Sequence, residues 1–222
     1  MKKSEHISNK FYEDLSANGL ATLASSRRTK DNLKLIKSLS KKSDKILDLA
    51  CGYGRLTIPL AKAGYDIIGI DLAQNLILEA KFQAKKQGLK IRFDVGSMTR
   101  LPYKPEFFDK IFCLWYSFDH LLTKSEQVKA LNEMYRVLKF GGLTFLEVSN
   151  GERKKYVKKL KEEGTGKDKR ILGEVFGDVK NLSYKHSRQT LRAVCEKSKF
   201  KRFSVRFMNS HGRRCIVAEL YK

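Results

Sequence analysis

The chain has 222 residues, of which 41% are hydrophobic, and its 46 Lys and Arg against 24 Asp and Glu give a net charge of +22. This length and composition fit one globular domain over residues 1–222 and exclude a disordered chain. No apolar run has the length of a bilayer span or follows the pattern of a signal peptide, so we expect a cytoplasmic protein with no membrane partner.

Helical and extended patterns alternate along the first two thirds of the chain. Residues 5–40 carry apolar side chains at helical spacing, which predicts a helical cap over residues 1–44. Within a core of residues 45–149 the pattern predicts five strands, at 45–49, 66–70, 91–95, 110–115 and 143–148. The predicted helices between them are 56–63, 74–87 and 125–138. This alternation indicates a doubly wound α/β fold, with a mostly parallel sheet covered by helices on both faces.

The pattern changes after Asn150. We predict a charged helix over 152–163, two short strands at 171–176 and 181–186, and a helix over 187–198 that Ser187 caps. Two further strands, 202–207 and 215–220, form an antiparallel hairpin that would complete a seven-stranded sheet. Residues 150–186 are therefore expected to be an insertion on the substrate side of the core, and residues 187–222 a C-terminal helix with antiparallel strands.

A glycine turn joins the first strand to the first helix of this core. The strand ends in Asp48-Leu49-Ala50-Cys51-Gly52-Tyr53-Gly54-Arg55, and Asp71 closes the next strand. Glycine has no Cβ, so such a turn lets the backbone approach a ligand. An acid at the end of the second strand can bind the two hydroxyls of a ribose. Together the two features predict a pocket for a cofactor that contains adenosine.

Two common nucleotide pockets do not fit this turn. A dinucleotide fingerprint would have a third glycine where Thr57 stands, and no Gly-Lys-Ser/Thr follows as in a P-loop. The turn instead resembles motif I of the class I S-adenosylmethionine (SAM)-dependent methyltransferases. Four further segments resemble that family in the right order: Asp71-Leu72, Val95 to Tyr103, Phe107 to Ile111, and Arg136 to Gly142.

The resemblance implies SAM as cofactor, S-adenosylhomocysteine (SAH) as product, and a Rossmann-like fold. The positions that it assigns to the cofactor are Asp48, Ala50, Cys51, Gly52, Gly54, Arg55, Asp71, Leu72, Ser97, Met98 and Trp115. One position departs from the family. Ser97 stands where many members have an acid that accepts a hydrogen bond from the adenine amino group, and a neutral hydroxyl accepts more weakly than a carboxylate.

The residues that would act on the acceptor are less distinctive. The segment Cys113 to His120 lacks the Asp/Asn-Pro-Pro-Tyr motif of the members that methylate base amines or glutamine amides. His120 and Tyr116 are the candidate catalytic residues, with a structural histidine as the alternative for His120. The candidate substrate contacts are Tyr12, Arg28, Tyr116 and His186, although Arg28 and His186 could equally lie on the surface.

The acceptor itself stays open at the level of sequence. A small molecule is the first hypothesis, and RNA is the second because residues 151–222 carry +13 of the +22 charge. The alternative explanation of the charge is a lysine-rich, well-solvated surface. A SAM-binding protein without turnover is the third hypothesis. The four cysteines are scattered without a C-x-x-C pair, so we expect no metal site, and nothing in the sequence predicts the oligomeric state.

Overall fold

The computed structural model describes residues 3–176 and 179–222. The helices are α1 Lys3–Leu23, α2 Ser26–Leu39, α3 Thr57–Lys62, α4 Gln74–Lys86, α5 Lys124–Val137, α6 Lys154–Glu163 and α7 Arg188–Glu196, with a short 3-10 helix at Ser117–His120. The strands are β1 Lys45–Leu49, β2 Asp66–Asp71, β3 Phe93–Val95, β4 Phe108–Cys113, β5 Leu138–Val148, β6 Ile171–Phe176, β7 Val179–Tyr184, β8 Arg202–Ser210 and β9 Arg213–Tyr221.

Seven of these strands form one twisted sheet in the order β3-β2-β1-β4-β5-β9-β8. The five strands from β3 to β5 run parallel, and β9 lies antiparallel between β5 and β8. The predicted doubly wound sheet with an antiparallel C-terminal hairpin is therefore confirmed. The strand order reverses direction between β1 and β4, and ligands of such sheets bind beyond the carboxyl ends of the strands at that point.

Several strand boundaries differ from the prediction. β4 and β7 each lie two residues earlier than predicted, and β8 and β9 are longer. β3 begins at Phe93, two residues late, and β5 begins at Leu138, five residues before the predicted start. The early start of β5 follows from its pairing, because Leu138 faces Phe108 across an irregularity that shifts the register before Lys110. Residues 138–142 carry Gly141-Gly142 and little apolar alternation, so the sequence pattern alone indicated a turn there.

The core lies on both faces of the sheet. Successive residues of the central strands alternate between the faces, as the period of a strand requires. Ile111 packs on one side with residues of α5 and α7. Its neighbour Phe112 packs on the other side with Ile36 of α2 and Leu60 of α3. Because both faces are covered, these strands are nearly continuously apolar.

Two elements outside this sheet cover the carboxyl ends of its strands. Helix α1 packs against α4 and against β7, and it is kinked at Ser16, whose φ of 60° is not helical. Strands β6 and β7 form a separate antiparallel hairpin. The cap and the insertion thus lie against each other, over the end of the sheet where a ligand would bind.

The start of α5, directly after the 3-10 helix, is held by a capping box. The Thr123 hydroxyl accepts a hydrogen bond from the Glu126 N–H, and the Glu126 carboxylate accepts one from the Thr123 N–H. We predict that Thr123→Ala lowers the free energy of unfolding by about 1 kcal/mol, because the helix loses this cap. Urea unfolding measures the change, and Thr123→Ser, which keeps the hydroxyl, should lose less than half as much.

Candidate functional site

A cavity of about 470 Å³ lies beyond the carboxyl ends of β1, β2 and β4. Its volume is in the usual range for small-molecule and cofactor sites. It is lined by residues from the glycine turn, from the ends of β2 and β4, from α1 and from the insertion. The same cavity therefore contains groups from segments that are more than 150 residues apart in the chain.

The glycine turn gives this cavity a wall of backbone. Ala50, Gly52 and Gly54 all have positive φ, at 62°, 55° and 81°. A Cβ on Gly54 would lie 3.0 Å from the Ile58 side chain and 3.3 Å from the Phe93 ring. The conformation and the packing both favour glycine here. Gly54 does not itself line the cavity, and it acts by shaping the turn that presents Ala50, Cys51 and Gly52.

Two buried aspartates make hydrogen bonds to the glycine turn and to residues that follow it. Asp71 accepts hydrogen bonds from the N–H groups of Gly52, at 2.8 Å, and Ala73, at 2.9 Å. Asp48 accepts one from the Thr57 hydroxyl at 2.6 Å. Burial raises the pKa of both carboxyls, that of Asp48 to about 6. Each Asp71 oxygen holds one N–H and has a second lone pair, and the side chain lines the cavity.

A carboxylate from the cap lies against Ser97. The Ser97 hydroxyl donates to Glu5 on α1, and the Thr99 hydroxyl donates to the same Glu5 oxygen at 2.6 Å. Glu5, Ser97 and Met98 line the cavity together. The sequence analysis did not identify Glu5, because no local pattern connects two residues that lie 92 positions apart.

Two consecutive aromatic residues follow β4 in strained backbone. Trp115 and Tyr116 have φ of 57° and 65°, a region that bulky side chains rarely adopt. The guanidinium of Arg28 lies over both rings, at 5.4 Å and 5.1 Å from their centroids, and that of Arg55 lies 4.9 Å from the Trp115 ring. All four residues line the cavity. Strain of this kind is typical of functional sites.

Arg28 is not a surface residue. Only 5% of it is exposed, and its Nη1 has no hydrogen-bond partner among residues 3–176 and 179–222. The alternative of a solvated Arg28 is therefore wrong. A buried guanidinium with an unpaired N–H group facing a cavity is suited to bind an anionic group of a ligand.

His120 and Tyr12 meet on the cavity wall. The Tyr12 hydroxyl lies 2.8 Å from His120 Nε2. Burial lowers the pKa of His120 to about 4, so its ring is neutral at neutral pH. Burial also raises the pKa of Tyr12, and the charges of Asp71 and Asp119 raise it further. Tyr12 is thus close enough to be influenced by the cofactor-side acid and by a second acid that was not predicted from the sequence.

That second acid is Asp119, in the 3-10 helix after β4. It is buried, and one of its carboxylate oxygens accepts a hydrogen bond from the Ser149 N–H at 3.0 Å. The other oxygen has no partner in the part of the chain that the structure describes. Burial raises the pKa of Asp119 to about 7, against the opposing effect of the Lys185 charge. Its place directly before His120 was the only signal in the sequence.

The insertion supplies one polar side of the cavity. Asn181, Ser183 and Lys185 alternate along β7 and its extension and all line the cavity, as do Glu174 and Tyr156. The Lys185 ammonium is nearly buried and pairs with Glu174 at 2.6 Å. The two-residue period of an extended chain turns these side chains toward the cavity.

His186, which the sequence predicts as a substrate contact, does not belong to this polar side of the cavity. His186 follows Lys185 and therefore points to the opposite side, where it is fully buried beside the Phe118 and Tyr184 rings. It does not line the cavity. The remaining predicted cofactor positions, Leu72 and Met98 included, do line it. Among the described residues, no group of His, Cys, Asp and Glu could hold a metal ion, and no helix could cross a membrane.

Comparison with a family model supports the resemblance predicted from the sequence. Residues 46–142 match the family model described as a methyltransferase domain. The matched segment runs from β1 into β5, and it contains the glycine turn, Asp71, Ser97 and Asp119.

The chain is similar to curated proteins and to solved structures. It is 29% identical over 155 residues to the glycine/sarcosine N-methyltransferase of Aphanothece halophytica, a match that covers 68% of this chain and 58% of that protein. It is 34% identical over 123 residues to a ubiquinone biosynthesis O-methyltransferase of Pelagibacter ubique, covering 52% and 46%. The chain thus matches about half the length of these relatives.

A solved structure supports the fold. The 1,6-didemethyltoxoflavin-N1-methyltransferase of Burkholderia thailandensis, solved with its substrate and SAH, has a TM-score of 0.72 at 13% identity, covering 98% of this chain and 88% of that one. Similarity at this level of identity concerns the fold and not the acceptor.

The raised pKa of Asp119 predicts a pH effect on stability. The folded state holds the Asp119 proton more tightly than the unfolded state, so ionisation destabilises the fold as pH rises from about 4 to about 7. We expect Asp119→Asn to gain stability relative to the natural chain across this window. Chemical unfolding at several pH values measures the difference.

Asp109→Asn is the control of opposite sign. The Lys139 ion pair holds the pKa of Asp109 below its ordinary value, although burial acts against it. Its ionised form therefore stabilises the fold, and that contribution is lost only at more acid pH. A constant difference between Asp119→Asn and the natural chain from pH 4 to 7 would contradict the predicted ionisation of Asp119.

Proposed function

We propose that this protein transfers the methyl group of SAM to a small-molecule acceptor. The observation that carries the proposal is the single cavity in which the family's cofactor positions and a separate set of buried polar groups face each other. When bound, the cofactor supplies an activated methyl group on a sulfonium. The protein then has to bind the two partners, orient them and exclude water.

The residues that we assign to the cofactor fit its parts. The backbone wall at Ala50–Gly52 leaves room for the amino-acid portion, and Asp71 has lone pairs available for the ribose hydroxyls. Arg28, whose Nη1 lacks a partner in the described residues, is suited to the carboxylate of the methionine portion. Leu72 and Met98 offer apolar contacts for the adenine.

The opposite end of the cavity carries unpaired buried polar atoms. They are Asp119 Oδ1 and Ser149 Oγ, neither of which has a partner within residues 3–176 and 179–222. Buried polar atoms are nearly always paired. Since both atoms can accept hydrogen bonds, we propose an acceptor that donates them, such as an amine or a hydroxyl compound.

Asp119 is the better candidate for a general base at this end. Its pKa of about 7 lies near working pH, where a base is most effective. His120, with a pKa of about 4, would accept a proton only weakly, and we propose that it orients Tyr12. Burial raises the pKa of Tyr116 to about 12, so its ring acts as a wall of the cavity.

The relatives support a small acceptor. Those named above are a glycine/sarcosine N-methyltransferase and a ubiquinone biosynthesis O-methyltransferase. The cavity volume of about 470 Å³ also fits a small molecule. The cytoplasmic location and the division of residues 1–222 into cap, core and insertion stay predictions from the sequence.

We predict that Asp71→Asn weakens SAH binding at least tenfold, or about 1.4 kcal/mol, because a charged acceptor of the ribose hydroxyls is lost. Isothermal titration of the purified protein with SAH measures this. Asp66→Asn is the matched control, since Asp66 lies at the exposed start of the same strand and pairs only with Lys45. Equal affinity in all three proteins would contradict the assignment of Asp71.

RNA is the second candidate because of helix α6. Its sequence KKYVKKLKEE is strongly basic, and Lys155 and Tyr156 from it line the cavity. Lysine-rich surfaces bind polyanions through counterion release, with affinity that falls steeply with salt.

One labelling experiment separates the two acceptors. We predict that incubation of cell extract with methyl-labelled SAM transfers label to the small-molecule fraction in a manner that depends on the added protein, and that Asp119→Asn lowers this transfer at least tenfold. Label confined to the RNA fraction would instead select RNA as the acceptor.

A further inference from the structure

Three arginines line one side of the cavity without an ionic partner. Arg28, Arg55 and Arg213 all line it, and none of them forms an ion pair with a residue that the structure describes. The guanidinium groups of Arg28 and Arg55 lie over the Trp115 ring, at 5.4 Å and 4.9 Å from its centroid. Arg213 is exposed, so it lies where the cavity opens to solvent.

The tip of the C-terminal hairpin places Arg213 at this side of the cavity. A two-residue turn joins β8 to β9, and its residues His211 and Gly212 both have positive φ, at 44° and 76°, as hairpin turns of this length favour. Asp31 of α2 accepts a hydrogen bond from the His211 N–H at 2.9 Å, and His211 Nε2 lies 3.4 Å from the Tyr116 hydroxyl. The tip is therefore attached to the cavity wall, directly before Arg213.

The charges of the three arginines act together on His211. Burial lowers the pKa of His211 to about 4, and the charges of all three arginines lower it as well, against the opposing charge of Asp31. The His211 ring is therefore neutral at neutral pH. Several cations that surround one point raise the electrostatic potential there, and such a place attracts an anion.

The acids of this corner are bound to backbone groups. Asp31 and Glu147 each accept a hydrogen bond from a backbone N–H group at 2.9 Å. Arg55 donates from Nη1 to the neutral Thr29 hydroxyl at 3.1 Å. Because a guanidinium has several N–H donors in a planar fork, this bond leaves Arg55 with donors for an oxyanion.

We infer that the methyl acceptor carries an anionic oxygen group, a carboxylate or a phosphate, and that Arg55 and Arg213 bind it beside Trp115. The inference rests on the proposed methyl transfer and names the class of acceptor. SAM has a single carboxylate, which the proposed function gives to Arg28, and its sulfonium adds a positive charge to the cavity. A second anion, brought by the acceptor, balances the other two arginines. Arg55, which the resemblance assigns to the cofactor, thus serves the acceptor.

The acceptor then has two kinds of group. Its amine or hydroxyl donates to Asp119, and its oxyanion accepts from the arginines. This describes an amino or hydroxy acid, or a phosphate ester that carries an amine or a hydroxyl. The alternative role of the arginines is structural, since a guanidinium over an aromatic ring is itself stabilising. Such a role would not distinguish a carboxylate from its neutral amide.

The experiment uses the single tryptophan of the chain, Trp115, as a reporter. Its fluorescence is followed while the SAH-saturated protein is titrated with cyclohexanecarboxylate, with the neutral cyclohexanecarboxamide and with inorganic phosphate, at constant ionic strength. The natural chain should bind one of the two anions roughly tenfold more tightly than the carboxamide, because charge-assisted hydrogen bonds are the stronger ones. The anion that binds more tightly identifies the oxyanion of the acceptor.

Two variants and a matched control locate the anion. Arg213→Gln and Arg55→Gln should each lower the preference for the anion about fivefold, because each removes one of the two cations. Saturation with SAH before the titration keeps changes in cofactor affinity out of the comparison. Arg192→Gln is the control, because Arg192 is exposed on α7, lies 5.8 Å from the Phe203 ring centroid and does not line the cavity. It loses the same charge, and its preference should equal that of the natural chain.

A further variant protects the test against misfolding. If Arg55→Gln is unfolded by circular dichroism, the exposed Arg213 carries the test, and Arg213→Lys, which keeps the charge, should retain more of the preference than Arg213→Gln.

The outcomes separate this inference from the proposed function. No binding of SAH to the natural chain at millimolar concentration would overturn the proposed function. Binding of SAH together with equal affinities for both anions and the carboxamide would leave the proposed function intact and overturn the inference. An anion preference that is unchanged in Arg213→Gln and Arg55→Gln, or that falls as much in Arg192→Gln, would overturn the inference as well.

Discussion

The site depends on the hydrogen bonds that Asp71 makes with the backbone. Its carboxylate accepts from the Gly52 and Ala73 N–H groups, and so it connects the end of β2 to the turn after β1. The turn has positive φ at Ala50, Gly52 and Gly54, a conformation that local preferences do not favour for alanine. Burial raises the pKa of Asp71. The protein thus keeps a costly group inside because it holds the turn in the shape that the cavity requires.

Other charged and polar groups of the cavity are also buried away from water. Asp48, Asp119 and Lys185 are all buried, and Lys185 pairs with the partly buried Glu174. In a poorly hydrated space each of these groups interacts more strongly with a ligand than it would in water. The pKa of Asp119, raised to about 7, shows how such a space converts an ordinary carboxyl into a group that exchanges a proton near neutral pH.

The features that could be predicted from the sequence are the ones that depend on local sequence pattern. Periodicity located the strands of the parallel sheet, and the rule that ligands bind beyond their carboxyl ends brought the turn, Asp71 and Trp115 to one cavity. Sequence pattern could not predict contacts between residues that are far apart in the chain and meet only when it folds. Glu5 meets Ser97 only because α1 folds back over the sheet, and Asp119 acquires its character from burial. His186 was misplaced because the sequence pattern does not show which side of β7 and its extension borders the cavity.

The position of α1 has a consequence for the order of events. This helix carries Glu5 against Ser97 at one part of the cavity and Tyr12 beside His120 at another, so one segment borders both parts. A displacement of α1 would therefore open both parts together. In many enzymes the opening of such a cover, rather than the chemical step, limits turnover. The break in helical geometry at Ser16 divides the cover into two parts.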